Sequence, residues 1–534
     1  MKKTTLVLNF CLLFTLFSFG QTITKDVDIT LGDEEKTSRR MTLSNIVAYD
    51  ETGIYAIKTK LRSILSPSSK IILEHYDKEM NPSKSVEIEL EDENRERDYE
   101  FIIYLNNEMF LFSSYNDKRA DTKTLFVQGV DKRTLQAKPE ISQIAETDYS
   151  WASRFRAGNF GHKVSNDSSK VLIYYTLPYE KDESQKFALH VFDQDLNSLW
   201  QKNVDLPYGE DLFDVKENEV DNNGNVHLLG QLFKQERKVK RRGEPNYHYR
   251  ILSYSNNGED LKEYPVIING KYITDMQIAI NDDQDIICGG FYSSKGTTSI
   301  DGSYFLKING ETKEIMSKEF QKFSLDFITQ NMSDKQKRKT KKRARKGKDV
   351  ELYEYDLDRI ILRADGGALL IGEQFYIRTI STTSTNSNGG ITTSTTYHYY
   401  FNDIIVINMA PSGKIEWTEK IAKRQVTSND RGFYSSYALA VVKDKLYFVF
   451  NDHIKNLGYK GTGGLYNFTK SKRKSIVVLV SLDLEGYQTR EALFSVKANK
   501  ILTRPKVCQQ ISQNEMVIFG QRKKKNRFSK ITFK

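Results

Sequence analysis

Four runs of cationic residues are the groups in this sequence whose types and spacing most clearly indicate chemistry. The runs are RKVKRR at 237–242, KQKRKTKKRARKGK at 335–348, KRK at 472–474 and RKKK at 522–525. Together they contain 22 Lys and Arg residues and no acidic residue, while the formal net charge of the chain is +10, so the remainder carries −12. Such an uneven distribution is typical either of solvated loops or of a surface that attracts an anionic partner.

The two longest runs supply the candidate partner-binding residues, which are Arg237, Lys238, Lys240, Arg241, Arg242, Lys337, Arg338, Lys339, Lys341, Lys342 and Arg343. The partner we expect is a protein of the cell envelope, such as an outer-membrane protein; anionic lipid and acidic polysaccharide are the alternatives. Nucleic acid is not expected, because an exported protein rarely meets it. On its own the chain is expected to be monomeric.

Catalytic and metal-binding patterns are weak in this chain. The seven histidines show no paired metal-ligand spacing, and no Gly-x-Ser-x-Gly nucleophile motif occurs. The acidic turns DNNGN at 221–225 and NDDQD at 281–285 lack the glutamate that completes a calcium loop, and hairpin geometry explains them. We therefore expect no catalytic residue, metal site or cofactor.

The elements that must position the cationic runs form a repeat. Eight times, two to four residues drawn mainly from Asp, Asn, Gly, Ser and Lys precede an apolar run rich in β-branched and aromatic residues, as in VDNNGNVHLLG at 220–230. Asn, Asp and Gly accept the positive φ of hairpin turns, and the apolar run suits a buried strand. The turns are centred near residues 50, 106, 167, 223, 283, 365, 444 and 514.

A second hairpin follows each of the first seven turns, for example VFDQDLNSLWQKNVDL at 191–206. Two hairpins make a four-stranded antiparallel sheet whose last strand is the most polar. Repeated sheets of this kind predict an all-β fold, a single β-propeller, with a series of β-sandwich domains as the competing architecture.

The last repeat ends after a third strand, SKITFK at 529–534, and thus lacks an outer strand. The segment TITKDVDITL at 22–31 resembles the outer strand KNVDL at 202–206. The N-terminal strand is therefore predicted to complete the last blade and close the ring, which leaves no sheet edge exposed. We expect eight blades, with seven as the alternative.

In such a ring, the turns between strands one and two and between strands three and four lie on one face, which we call the short-turn face. Connections between strands two and three, and between blades, lie on the opposite face, the loop face. All four cationic runs and the long insertions are assigned to the loop face; the insertions span 234–248, 324–354, 378–397 and 455–475. The polar low-complexity segment within 379–400 is predicted to be a flexible loop or to order on contact.

Residues 1–20 have the composition of a secretory signal peptide, with Lys2 and Lys3 before an apolar run and a small residue, Gly20, at its end. The single domain then spans 21–534, and the protein is expected to be exported and periplasmic, with a peripheral position at the outer membrane as a further option. Beyond Cys11 in the signal, Cys288 and Cys508 fall in different repeats, so two buried thiols are favoured over a disulfide.

Two segments, INMAPSGKIEWTEKI at 407–421 and VFDQDLNSLWQKNV at 191–204, resemble the tryptophan-bearing turn of quinoprotein propellers. In that family the turn has the pattern Ala-x-Asp-x-x-x-Gly-Lys-x-x-Trp, and Trp417 and Trp200 match its tryptophan. The family is eight-bladed and exported, and it includes both cofactor-using alcohol dehydrogenases and a non-enzymatic scaffold of outer-membrane assembly. The resemblance covers two of eight repeats, so it implies the blade number and no cofactor. A Trp that joins adjacent blades is the ordinary explanation.

These observations favour a non-enzymatic, exported propeller that serves as a scaffold or docking subunit of an outer-membrane complex for transport, secretion or assembly. The alternative is an enzyme, either a quinoprotein-like dehydrogenase or a glycan-active propeller with its site over the central channel.

Overall fold

The fold was analysed in a computed structural model that describes residues 26–37, 41–60, 70–92, 95–149, 158–178, 184–209, 212–235, 238, 240–241, 244–385, 388, 390–461 and 464–534. The predicted signal peptide at 1–20 lies outside these residues, as do the candidate binding residues Arg237 and Arg242. The one-domain boundary at 21 likewise remains a prediction.

Eight antiparallel sheets, each of four or more strands, follow one another along the described chain, and each is one blade. Blade 1 consists of Met41–Asp50, Gly53–Lys60, Lys70–Asp77 and Pro82–Glu87, and blade 2 of Asp98–Leu105, Glu108–Asp117, Thr122–Asp131 and Gln136–Asp148. Blade 3 consists of Phe160–Val164, Lys170–Thr176, Ser184–Asp193 and Ser198–Gly209, and blade 4 of Phe213–Val220, Val226–Phe233, Tyr247–Ser255 and Asp260–Val266. Blade 5 consists of Tyr272–Ile280, Ile286–Ser293, Gly302–Ile308 and Ile315–Lys322. Blade 6 consists of Tyr355–Leu362, Ala368–Thr385, Ile391–Met409 and Ile415–Ile421, and blade 7 of Ala438–Val442, Lys445–His453, Ser475–Leu482 and Gln488–Ser495.

The eighth blade is built from both ends of the described chain. Its inner position holds Leu502–Thr503 and Gln509–Gln510, and its next strands are Glu515–Arg522 and Lys525–Phe533. The fourth strand is Val27–Leu31, which pairs antiparallel with the third, so that Val27 faces Phe533 and Leu31 faces Ser529. The predicted closure by the N-terminal strand is confirmed.

Hydrophobic clusters between neighbouring sheets demonstrate the ring. Eight such clusters occur among the described residues, and each joins one blade to the next in order, from the cluster of blades 1 and 2 to that of blades 7 and 8. The eighth joins blade 8 to blade 1, where Phe519 and Phe528 pack with Ile54 and Tyr76. The fold is thus an all-β propeller, and the eight sheets of the described chain agree with the expected eight blades.

Shorter elements decorate this frame. Minor strands are Glu35–Lys36, Glu91–Asp92, Arg95–Glu96, Lys240–Arg241, Glu244–Pro245, Ser299–Ile300, Leu352–Tyr353 and Gln425–Ser428. The α-helices are α1 (Leu325–Thr329), α2 (Asp334–Arg345) and α3 (Val496–Asn499), and two 3₁₀ turns span Ile454–Asn456 and Pro505–Val507. The four long insertions interrupt the frame between strands two and three or between blades, which assigns them to the loop face.

The segment at 379–400 is not the flexible loop that its composition indicated. It continues the second and third strands of blade 6 as one hairpin, with Thr385 paired to Ile391. Alternating β-branched residues favour this extension, and hydroxyls pair across it, as between Thr383 and Thr393 at 3.3 Å. At its base the rings of Tyr376 and Tyr400 stack at 4.3 Å.

The two cysteines of the described chain, Cys288 and Cys508, are free thiols, and burial raises the pKa of Cys508 to about 12. Within the described residues no helix combines the length and the apolar character that crossing a lipid bilayer requires.

Candidate functional site

The longest cationic run folds as helix α2, not as the loop we expected. Ser333 begins it with a capping box, because its hydroxyl accepts from the Gln336 N–H while the Gln336 side chain accepts from the Ser333 N–H at 3.1 Å. Lys, Arg, Gln and Ala all favour helix, so local propensity outweighs charge repulsion here. Helix α2 therefore presents a fixed cationic surface.

Both ends of the insertion are anchored to the propeller. Before α2, the short helix α1 buries Phe327 and Ile328 in the cluster between blades 5 and 6. After α2, Leu352–Tyr353 pairs with Ser299–Ile300 from blade 5. The helix itself buries no residue, so its cations face solvent.

The charges of α2 are largely unpaired. Among the described residues the helix makes one ion pair, between Lys341 Nζ and Asp326 Oδ1 at 3.0 Å. The other candidate residues of this run are exposed, namely Lys337, Arg338, Lys339, Lys342 and Arg343. They form the basic helix surface.

The run at 237–242 occupies another sector of the loop face. It belongs to blade 4, where Lys240–Arg241 pairs with Glu244–Pro245 as a small hairpin and Lys238 is exposed. Because α2 lies between blades 5 and 6, the structure separates the two groups that the sequence analysis combined.

A cavity of about 620 Å³ lies beside the start of α2, and we call it the tyrosine cavity. Its lining includes Ser333 and Gln336 of the capping box, and also Tyr353, Tyr355, Tyr376, Tyr400, Glu351, Asp403, Lys420 and Lys423. The sequence analysis missed this cavity, because its walls come from blade 6, the segment that follows blade 6, and two insertions.

Two lysines of the cavity wall are buried. The Lys420 ammonium donates to the Ile328 carbonyl at 3.1 Å and lies 5.0 Å from the centre of the Phe327 ring. Burial lowers the pKa of Lys420 to about 8, against the attraction of Asp403. Lys423 lies 2.5 Å from Glu373 and is fully buried. The Lys420 contacts hold α1 on blade 6, whereas the Lys423–Glu373 pair joins blade 6 to the segment that follows it.

Carboxyl groups on the inner strands are the groups that a catalytic site over the central channel would use. Glu217 accepts from the N–H of Ile278 in the next blade at 2.9 Å, and Asp275 accepts from the N–H of Leu357 at 2.6 Å. Burial raises the pKa of Glu217 to about 7. Because these acids bond to the backbone of the adjacent blade, they serve blade packing. No cluster of three metal-ligating side chains occurs in the described part of the chain.

Trp200 and Trp417 act as links between blades. Trp200 Nε1 donates to the Gly224 carbonyl of blade 4 at 2.9 Å, and Trp417 Nε1 donates to the Leu484 carbonyl of blade 7 at 2.7 Å. Each side chain thus reaches from its own fourth strand to a turn of the next blade, as the ordinary explanation predicted.

The class of protein defined so far is an eight-bladed β-propeller with a cationic loop face. No protein-family model matches the chain, and no curated protein matches it either. Solved structures with a similar chain path include the β-propeller domain of the trilobed protease from Pyrococcus furiosus, at 10% identity and a TM-score of 0.35, covering 86% of this chain and 96% of that one.

Another similar structure is the WD40 domain of SCAP from fission yeast, at 9% identity and a TM-score of 0.37, covering 94% of this chain and 98% of that one. Prolyl oligopeptidase B from Galerina marginata matches at 8% identity and a TM-score of 0.38; the alignment covers 91% of this chain and 55% of the enzyme. Because these TM-scores are low, the fold is assigned from the sheet topology of this chain. The similar structures say nothing about its function.

Proposed function

We propose that this protein is an exported, non-enzymatic propeller that docks an anionic partner on its loop face, as a scaffold subunit of an outer-membrane complex for transport, secretion or assembly. The observation that carries the proposal is the basic helix surface, whose exposed cations lie on a helix within an insertion anchored at both ends. Among the described residues, Lys341 is the one cation of this helix that forms an ion pair. A fixed cationic surface attracts an anionic partner over about one Debye length, ~8 Å at physiological salt.

The experiment removes this surface and leaves the fold intact. Five exposed helix residues are replaced with Gln, which keeps helix propensity, and Lys341 is retained for its ion pair; the substitutions are Lys337→Gln, Arg338→Gln, Lys339→Gln, Lys342→Gln and Arg343→Gln. The matched control removes five exposed cations from the short-turn face, through Lys78→Gln, Arg133→Gln, Lys414→Gln, Lys443→Gln and Lys445→Gln. Both variants lose the same net charge.

Tagged proteins are recovered from envelopes in mild detergent over a series of salt concentrations. The helix variant should lose its co-purifying partner while the control keeps it, and wild-type recovery should fall as salt rises. Each substitution should change the free energy of unfolding by no more than about 0.5 kcal/mol. Equal losses in the two variants would mean that net charge, not the helix, attracts the partner.

The tyrosine cavity favours a second candidate function, a glycan-active enzyme. It combines four tyrosines with two carboxyl groups, Glu351 and Asp403, and desolvation raises the pKa of Asp403 above its usual range. Glycoside hydrolysis uses two carboxyl groups that flank the scissile bond, and this cavity supplies two carboxyl groups in its lining. Turnover of a polysaccharide by the wild type that is abolished in both Glu351→Gln and Asp403→Asn, with no partner recovered from envelopes, would replace the scaffold proposal.

A further inference from the structure

The remaining two cationic runs meet at a pocket between blades 7 and 8, which we call the basic pocket. Its volume is about 670 Å³, and its lining residues are Lys472, Lys500, Arg522, Lys523, Lys524 and Lys525. Three separate connections on the loop face contribute them: the blade 7 insertion, the link between the two blades, and the turn between strands two and three of blade 8. Lys500 belongs to none of the four runs, so the sequence did not indicate it.

Few groups neutralise this concentration of charge. Among the described residues, Lys525 is the one lining side chain that forms an ion pair, with Glu34. Arg522 donates to the Lys470 carbonyl at 3.3 Å, and its Nη1 is buried without a hydrogen-bond partner in the described chain. Bringing like charges together is unfavourable unless an anion offsets their repulsion.

Two of the lining lysines also have strained backbones. Lys500, which caps α3, has φ of +59°, and Lys523 has φ of +57°. This left-handed region favours Gly and Asn. Glycine after α3 would be the usual cap, and it would relieve strain. Lysine at both positions therefore adds charge to the pocket at a local cost in backbone energy.

We propose that the basic pocket binds a ligand that carries several phosphate groups. Phosphate concentrates up to two negative charges on one small group, which matches the five cations of this pocket that form no ion pair with any described residue. The Arg522 guanidinium and the lysine ammonium groups together supply positive charge and N–H donors for phosphate oxygens. An acidic polysaccharide spreads its carboxylates along a chain and suits an extended groove better than cations gathered at one pocket.

Phosphates of this kind come from a free phosphorylated compound or from a phosphorylated lipid headgroup at a membrane surface. The proposal deepens the proposed function, since it names ligand chemistry on the same loop face, but it uses none of the residues of the basic helix surface. The two can therefore fail separately.

The test is titration calorimetry of the full-length mature protein with sodium tripolyphosphate, with sodium sulfate at equal ionic strength as the comparison. The pocket variant Lys500→Gly with Lys523→Gly should bind tripolyphosphate about tenfold more weakly than the wild type. Its melting temperature should not fall, because glycine suits both backbones. A second variant, Lys472→Gln with Lys524→Gln, removes charge without changing either strained position and should weaken binding similarly.

The helix variant described above is the matched control and should bind tripolyphosphate as the wild type does. Co-sedimentation with phosphatidylcholine vesicles, with and without phosphatidic acid, distinguishes the sources. If the protein binds tripolyphosphate but not the phosphatidic acid vesicles, the ligand is a free phosphorylated compound. If the wild type binds the phosphatidic acid vesicles and both pocket variants do not, the ligand is a lipid headgroup.

Three outcomes overturn the proposal: no binding of either probe, equal affinity for sulfate, or equal weakening in the helix and pocket variants. Partner recovery that is lost in the helix variant but kept in the pocket variants, without tripolyphosphate binding, would leave the proposed function standing and this proposal refuted.

Discussion

The interior of blades 6 and 7 and the basic pocket beside blade 8 both contain cations, but the two regions differ in whether those cations have carboxylate partners. Inside the blades, Lys423 lies 2.5 Å from Glu373, and Arg490 lies 2.8 Å from Asp452. In the basic pocket, Lys525 alone has a carboxylate partner among the described residues. An unpaired charge is costly where water is excluded and tolerable where water remains. The paired cations are therefore part of the fold, and the unpaired ones are available to a ligand.

The largest effect should follow from removing a partner in the interior. Glu373→Ala leaves the fully buried Lys423 ammonium without its carboxylate, and unfolding should become easier by about 3–5 kcal/mol in chemical denaturation. The double replacement Glu373→Leu with Lys423→Met removes both charges and should restore most of that loss. If Glu373→Ala were as stable as the wild type, the buried pair would contribute no more to stability than an exposed ion pair does.

A smaller effect should come from pH, through a buried histidine of blade 3. Burial lowers the pKa of His190 to about 4, while its unfolded pKa is near 6.5. The unfolded state then binds more protons between these values, so stability should be complete above about pH 6.5 and fall by ~3 kcal/mol as pH drops to about 4. His190→Gln should lose less stability than the wild type over that window. Parallel stability curves for the two proteins would refute the assignment.

The smallest effect should come from the one paired residue of the basic pocket. The hydrogen bond from Lys525 lowers the pKa of Glu34, so this carboxylate is ionised at neutral pH. Glu34→Gln should change stability by less than about 1 kcal/mol, because exposed pairs contribute little. It should also strengthen tripolyphosphate binding by up to about fivefold, measured by calorimetry, because it frees one cation. Weaker binding would mean that Glu34 orients Lys525 for the ligand.

The repeat was predictable from sequence because its signals are local. In the turn DNNGN the Asp221 carboxylate accepts from the N–H groups of Asn223 at 2.9 Å and Asn225 at 2.7 Å, and Gly224 has φ of +83°. Side chains two to four residues apart suffice for this, so their spacing identifies the turn wherever it recurs. Closure by the N-terminal strand was predictable for the same reason, since its polar and apolar pattern matched that of an outer strand.

Two local elements were nevertheless mispredicted. Helix α2 carries a capping box at Ser333 and Gln336, and the Ser-x-x-Gln spacing that forms it is visible in the sequence at the start of the run. The hairpin that extends blade 6 continues strands already held by the sheet, so tertiary support ordered a composition that is otherwise typical of a loop.

By itself, the sequence determined an all-β ring of eight repeated sheets, its closure by the first strand, and a loop face on which the cationic runs must lie. Only the tertiary structure decided which of those cations meet. It separated the runs at 237–242 and 335–348 into different sectors, and it brought Lys472 and Lys500 to the turn at 522–525. The physical reason is that turns and strands depend on residues a few positions apart, whereas a site between blades depends on how loops far apart in the chain converge once the ring has closed.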